Sequence, residues 1–177
     1  IDLGFFQEGD RIELIRGELV PMVSKGKAHT TCCRNLIREL PKLLRERATL
    51  QCQDPILLPN NSEPEPDFVM VRNRPDNYLS HHPMPEDIIG VIEIADSSLQ
   101  YDREVKLPLY AEANIAEYWL VNLLENQLEV YKVPYQKSNA VFDYRQKQVL
   151  LPDETVALPE FPDAILELGR VFPGAIA

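Results

Sequence analysis

Apolar and polar residues follow two periods along this chain, and the changes between them mark its elements. RIELIRGELVPMV (11–23) holds two strand-like runs around Arg16-Gly17, which predicts a β-hairpin whose turn uses the positive φ that glycine supplies. From His29 to Arg47 the apolar residues Cys33, Leu36, Ile37, Leu40 and Leu44 recur at helical spacing. Thr30 or Thr31 is placed to cap that helix, and Pro41 to kink it. QCQDPILLP (51–59) reads as a strand, NNSEPEP (60–66) as a polar, proline-rich loop, and DFVMVR (67–72) as the next strand.

Residues 73–86, NRPDNYLSHHPMPE, are a surface excursion with three prolines that leads into IIGVIEIA (88–95), apolar enough to be a strand buried on both faces. Asp96, Ser97 and Ser98 make a good start for a helix over 99–114. The strand EYWLVN (117–122), a turn at Glu125-Asn126, the strand LEVYKV (128–133) and a longer hairpin over roughly 139–151 follow. Strands with interspersed helices, an N-terminal β-hairpin and a C-terminal β-meander describe a mixed α/β fold. With no internal repeat or low-complexity linker, a single domain over 1–177 is the expectation.

Composition fits a globular domain, 45% apolar and 26% charged. No stretch nears the roughly 18 consecutive apolar residues of a membrane helix, and the opening IDLGFFQEGD has no basic region followed by an apolar one, so a cytoplasmic protein is expected. Cys32, Cys33 and Cys52 are an odd number without metal-type spacing and read as buried free thiols. The net charge of -10 argues against indiscriminate nucleic-acid binding. Yet residues 24–47 hold seven bases and two acids, leaving 11 bases and 26 acids elsewhere, so one basic element sits on an acidic body.

Within that buried strand, five of the six nearest neighbours of Glu93 are glycine, alanine or aliphatic. An unpaired carboxylate there would cost several kcal/mol or give up its charge. Asp67 opens a second strand, and both acids could project from one sheet edge into a shared cleft, where a hard cation such as Mg²⁺ would compensate them. The same spacing suits a half-exposed strand acid paired with a lysine. Asp102 and Lys106 are i,i+4 on the following helix and share a face, where a lysine could hold an attacking water or stabilise charge on a phosphate; an ordinary solvated ion pair has the same spacing. Arg34, Arg38, Lys42 and Arg45 line the first helix opposite its apolar stripe, either as a surface for the DNA backbone or as a solvated face interleaved with Glu39 and Glu46. His81 and His82 lie in the proline-rich excursion with no partner at ligand spacing, which argues against zinc there.

ELIRGELVPM, His29 at the first helix start, PEPDFVMV, VIEIADSS, the D-x-x-x-K-x-x-x-Y of Asp102, Lys106 and Tyr110, and AEYWLVN follow one another in order over about residues 12 to 133. Together they resemble the Uma-type putative restriction endonuclease family, a branch of the PD-(D/E)XK nuclease superfamily. The resemblance implies a restriction-endonuclease-like mixed β-sheet flanked by helices, acting as a DNA endonuclease. It implies that Asp67 and Glu93 bind Mg²⁺ or Mn²⁺ while a lysine assists the attacking water. The E-x-K lysine of the superfamily falls at Ala95, and Lys106 is the residue carried over to its role. Glu18, after the hairpin turn, is implied to approach the metal site, though a hairpin acid facing water fits its position equally; His29, at the helix start, either contacts a phosphate or a neighbouring carboxylate or, as is commoner there, is structural. Two other readings of the chain stand beside this one: a nuclease-fold module that binds nucleic acid or protein without catalysis, and a glycosidase-like use of two carboxylates. The meander and the hairpin after it could also pair across the two-fold axis of a homodimer.

Overall fold

The computed structural model describes residues 11–138 and 140–174. The opening IDLGFFQEGD, on which the expectation of no targeting segment rests, lies outside them, as does Asn139 in the second hairpin. Strands β1 (Ile12–Ile15) and β2 (Glu18–Pro21) form the N-terminal hairpin, turning through Arg16 at φ 53° and Gly17 at φ 82°. Helix α1 follows over Lys27–Leu44. It begins earlier than the sequence suggests, with Gly26 as N-cap, and neither threonine caps it. The Thr30 hydroxyl instead donates to the Gly26 carbonyl at 2.8 Å, one turn back. A Cβ at 26 would lie 2.8 Å from the Asp96 carboxylate, so a larger residue there would have to turn that side chain aside. The helix ends before Arg47: Arg45 has a φ of 54° and donates its N–H to Pro41, so it lies past the helix end rather than on the basic face.

A six-stranded sheet forms the centre, in the spatial order β3 (Thr49–Gln51), β4 (Phe68–Val71), β5 (Ile88–Ala95), β6 (Glu117–Asn122), β7 (Gln127–Ser138) and β8 (Val141–Leu150). Only β5 and β6 run parallel, and the helical crossover between them is α2 (Leu99–Tyr101), a π-helical turn (Asp102–Lys106) and α3 (Leu107–Glu112). Residues 51–59 are not the strand that their apolar run predicts. After Gln51 the backbone bends at Gln53, at φ 58°, and its N–H groups find scattered partners: Ile56 donates to Pro64 and Leu57 to Pro83. Beyond the second hairpin, β9 (Thr155–Leu158) and β10 (Phe161–Glu167) form a separate two-stranded sheet that the apolar pattern alone did not single out.

Both faces of the large sheet are covered. Leu36, Leu40 and Leu44 of α1 pack with Met70, Ile92, Trp119 and residues of β9 and β10 on one face. Leu109 and Tyr110 of α3 pack with Val69, Val91, Tyr118 and Leu120 on the other, where Ile15 of β1 joins them. Every residue of β5 is buried, so its two side-chain rows serve two cores, which is why the strand reads as continuously apolar. Ile37, placed on the apolar stripe by its spacing, is 49% exposed and belongs to the outer face of α1. Among the described residues no helix is long and apolar enough to cross a membrane.

The crossover is tied to the sheet by a buried carboxylate. Glu129 of β7 has no exposed surface and accepts from Arg103 of the π-helical turn, from Lys147 of β8 at 2.9 Å, from the Tyr131 hydroxyl and from Asn122. Removing one donor leaves part of a buried charge unsatisfied. Arg103→Ala is expected to lower stability by about 2 kcal/mol, the scale of a hydrogen bond to a charged group, in urea unfolding. An unchanged midpoint would show that Lys147 and Tyr131 suffice.

Candidate active site

Antiparallel β4 and β5 pair Phe68 with Ile92, and the next step along the ladder brings together Asp67 and Glu93. The two acids are stitched reciprocally. Glu93 Oε2 accepts the Asp67 backbone N–H at 3.1 Å, and Asp67 Oδ2 accepts the Ile94 N–H at 3.0 Å. Each carboxylate therefore ends the ladder that the other strand began, and both are buried.

Cations from two elements complete the pair. Lys25, in the loop before α1, donates to Asp67 Oδ1 at 3.0 Å, and His29 Nε2, on the first turn of α1, lies 2.9 Å from Oδ2. Lys106 donates to Glu93 Oε1 at 2.9 Å, and the Tyr110 hydroxyl to the same oxygen at 2.7 Å. Lys106 and Tyr110, four residues apart, share a helix face and so reach one atom, and the turn before them is locally widened. Leu107 donates to the Asp102 carbonyl five residues back, and Pro108, which has no N–H and whose ring would crowd the carbonyl of Glu104, follows directly. Asp102 lies at the start of this turn, buried, and its Oδ2 accepts from the Ser98 hydroxyl at 2.7 Å.

The N-terminal hairpin contributes an acid that the sequence placed wrongly. Glu18, expected near the site, is exposed at the start of β2. Glu13 on the partner strand is the one that turns inward, buried, with Oε2 3.2 Å from Lys106 Nζ. Glu13 shares a strand face with Ile15, and Glu18, paired with Ile15 across the hairpin, projects from that same face but at the turn end, where it is exposed. Apolar Ile12 and Leu14 flank Glu13, so alternation within IELI points it outward and no local signal marks it. Ala95, at the E-x-K position, is fully buried and packs in the core with Val91 and Tyr118.

These residues floor a cleft of about 210 Å³ beneath the loop from β2 to α1. Six carboxylates line it (Glu13, Glu65, Asp67, Glu93, Asp96 and Asp102) against two lysines, Lys25 and Lys106. Burial pushes the Asp67 carboxyl up, but the hydrogen bonds and charges of His29 and Lys25 outweigh it and hold it down at about 2. Burial pushes Glu93 above the usual carboxylate range, with Lys106 opposing and the Asp67 charge reinforcing it. Burial pulls the Lys106 ammonium down, yet the charges of Glu93, Glu13 and Asp102 prevail, raise it above its ordinary value and keep it protonated. Of the basic row, Arg34, Arg38 and Lys42 lie exposed on the outer face of α1, with Lys42 donating to Glu39 at 2.8 Å.

The donor set fits a hard divalent cation, since the cleft offers carboxylate oxygens in excess of the positive groups that neutralise them.

A mixed sheet with this crossover and an acid-lined strand end is a nuclease-like α/β fold. It is shared with the crystal structure of a putative nuclease belonging to DUF820 from Anabaena variabilis, at a TM-score of 0.72 and 14% identity over 97% of this chain and 94% of the other. Residues 2–169 match the Uma2 family, described as putative restriction endonuclease, and the chain belongs to that family. No functionally curated protein matches it.

Asp102 gives the site a pH signature. Burial first, then the charge of Glu93, push its carboxyl up to about 7. An acid whose pKa rises on folding favours the folded state fully below its unfolded value of about 4, and that advantage disappears as the pH climbs through the folded value. In metal-free buffer, Asp102→Asn should therefore gain stability relative to the parent between about pH 4 and 7, by more than about 1.4 kcal/mol, the equivalent of one pKa unit. Urea unfolding across that range measures it, and parallel pH profiles for the two proteins would mean that Asp102 titrates as an ordinary carboxylate.

Proposed function

We propose that this protein is an endonuclease that hydrolyses phosphodiester bonds in DNA with Mg²⁺ or Mn²⁺. The observation that carries the reading is the excess of carboxylates over lysines in the cleft, with Asp67 and Glu93 at its floor. Those two residues would hold the ion, which when bound polarises a phosphoryl oxygen and lowers the pKa of water. Lys106, held protonated by Glu93 and Glu13, is unsuited to act as a base. Its part is to orient the attacking water through hydrogen bonding and to stabilise charge developing on the phosphate. Tyr110 fixes the Glu93 carboxylate against rotation, and His29 does the same for Asp67. Asp102, pushed up to about 7, is able to exchange a proton near neutral pH. Arg34, Arg38 and Lys42, with Arg45 beyond the helix end, would follow the DNA backbone without reading its sequence.

A second reading, a nuclease-fold module that binds nucleic acid or protein without cutting, is favoured by one specific feature. Asp67 and Glu93 already accept hydrogen bonds on all four carboxylate oxygens from within the chain. Calorimetric titration of Mg²⁺ into the parent and into Glu93→Gln separates the two. Binding in the parent that Glu93→Gln loses supports the enzyme, and no binding in either supports the module.

Asp67→Asn and Glu93→Gln are each expected to abolish Mg²⁺-dependent nicking of plasmid DNA while circular dichroism shows the protein still folded at the assay temperature, because one remaining carboxylate leaves too little charge to hold the ion. Lys106→Met should slow cleavage by on the order of 10²-fold or more with metal affinity nearly kept. Parental cleavage in that variant would remove Lys106 from the mechanism.

Charge reversal at Arg34 and Arg38 should weaken DNA binding similarly for all sequences and flatten its salt dependence. Equal salt slopes in parent and variant would return the outer face of α1 to a solvated surface.

A further inference from the structure

His29 and Cys33 lie four residues apart on α1 and face the same way, and Asp67 meets them from the neighbouring strand end. One ligand atom from each, an imidazole nitrogen, the thiol sulfur and a carboxylate oxygen, all lie within 4.8 Å of one another. Cys33 Sγ is 3.6 Å from His29 Nδ1 and His29 Nε2 is 2.9 Å from Asp67 Oδ2. We propose that Cys33, His29 and Asp67 form a binding site for a thiophilic divalent ion such as Zn²⁺ or Co²⁺, distinct in its ligands from the hard site at Asp67 and Glu93 and sharing Asp67 with it.

The chemistry of the three donors selects the ion. A thiolate and an imidazole favour zinc and its neighbours over Mg²⁺, which takes oxygen. Cys33 meets the Nδ1 edge of His29 and Asp67 its Nε2 edge, so the imidazole must turn to give the ion one nitrogen, and the ligand atoms, now within 4.8 Å of one another, must draw in to the spacing of about 3.3–3.8 Å of tetrahedral zinc. His29 and Asp67 also line the cleft, which gives the ion a path and leaves a fourth position open toward it. Lys25 is the cation to be displaced, and its side chain, 16% exposed, sits at the solvent side of Asp67. As a free thiol Cys33 is inert, because burial, with the Asp67 charge adding to it, pushes it up to about 12. A bound ion removes that proton outright. If the hard site serves cleavage as proposed above, zinc at Cys33 competes for Asp67 and switches cleavage off.

Titration of the full chain with Co²⁺, followed by absorption, tests the site without any cleavage assay. The parent should bind one ion and develop a thiolate-to-cobalt charge-transfer band in the near ultraviolet. Cys33→Ser should lose the band and bind Co²⁺ at least about tenfold more weakly. Cys32→Ser and Cys52→Ser should keep it, and should Cys33→Ser not fold, those two assign the band to Cys33 by elimination. Glu93→Gln should also keep it, because its carboxylate belongs to the hard site alone. A parent that binds Co²⁺ without the band, or not at all, overturns the proposal, as does an unchanged band in Cys33→Ser or its loss in folded Glu93→Gln.

Discussion

The structure depends on giving hydrogen-bond donors to two carboxylates buried at the end of a strand pair. Asp67 and Glu93 each accept a backbone N–H from the strand that carries the other, so β4 and β5 cannot separate without uncovering both carboxylates. Four oxygens buried in that position need donors, and the chain brings them from the loop before α1, from α1 itself and from the crossover helix. The placement of these elements around the sheet end follows from that electrostatic demand as much as from apolar packing.

The crossover helix shows how local strain serves the same end. An α-helix broken by Pro108 would lose a hydrogen bond and crowd a carbonyl; a π-helical turn immediately before it absorbs both. The turn buries Asp102 and Lys106 while Arg103, between them in sequence, points away to Glu129 on β7. One turn of helix is thus fastened on two sides, to the carboxylate at the sheet end and to the carboxylate within the sheet. Lys106 is fixed by that fastening, which a lysine at position 95 would not need.

Helix α1 joins the two halves of the molecule's chemistry. Its inner face supplies Leu36, Leu40 and Leu44 to one core and, at its first turns, His29 and Cys33 to the acid cluster. The outer face carries Arg34, Arg38 and Lys42 into solvent. The acidic body and the basic helix are therefore not separate features, since the N-terminal end of the basic element is built into the acidic cleft.

The residue pattern by itself determined the mixed α/β class, the first hairpin, the buried strand over Ile88–Ala95, the strand Glu117–Asn122 and the helix between them, because period and apolar content are local properties. It also marked Glu93, since an acid in an apolar strand is an anomaly in one dimension. The ordered motifs carried the family. Tertiary structure alone decided which groups answer that anomaly. Lys25 and Glu13 stand 42 and 93 residues from the partners they meet, and no local period encodes such distances. Glu13 and Glu18 project from one face of the hairpin, and the choice between them rests on how the hairpin docks, with Glu13 over the crossover helix and Glu18 at the exposed turn end. The strand expected at 51–59 failed for a related reason: Ile56 and Leu58 are buried in the core on one face of the large sheet while their backbone bonds to loops, and burial without a ladder leaves the same sequence pattern as burial within one.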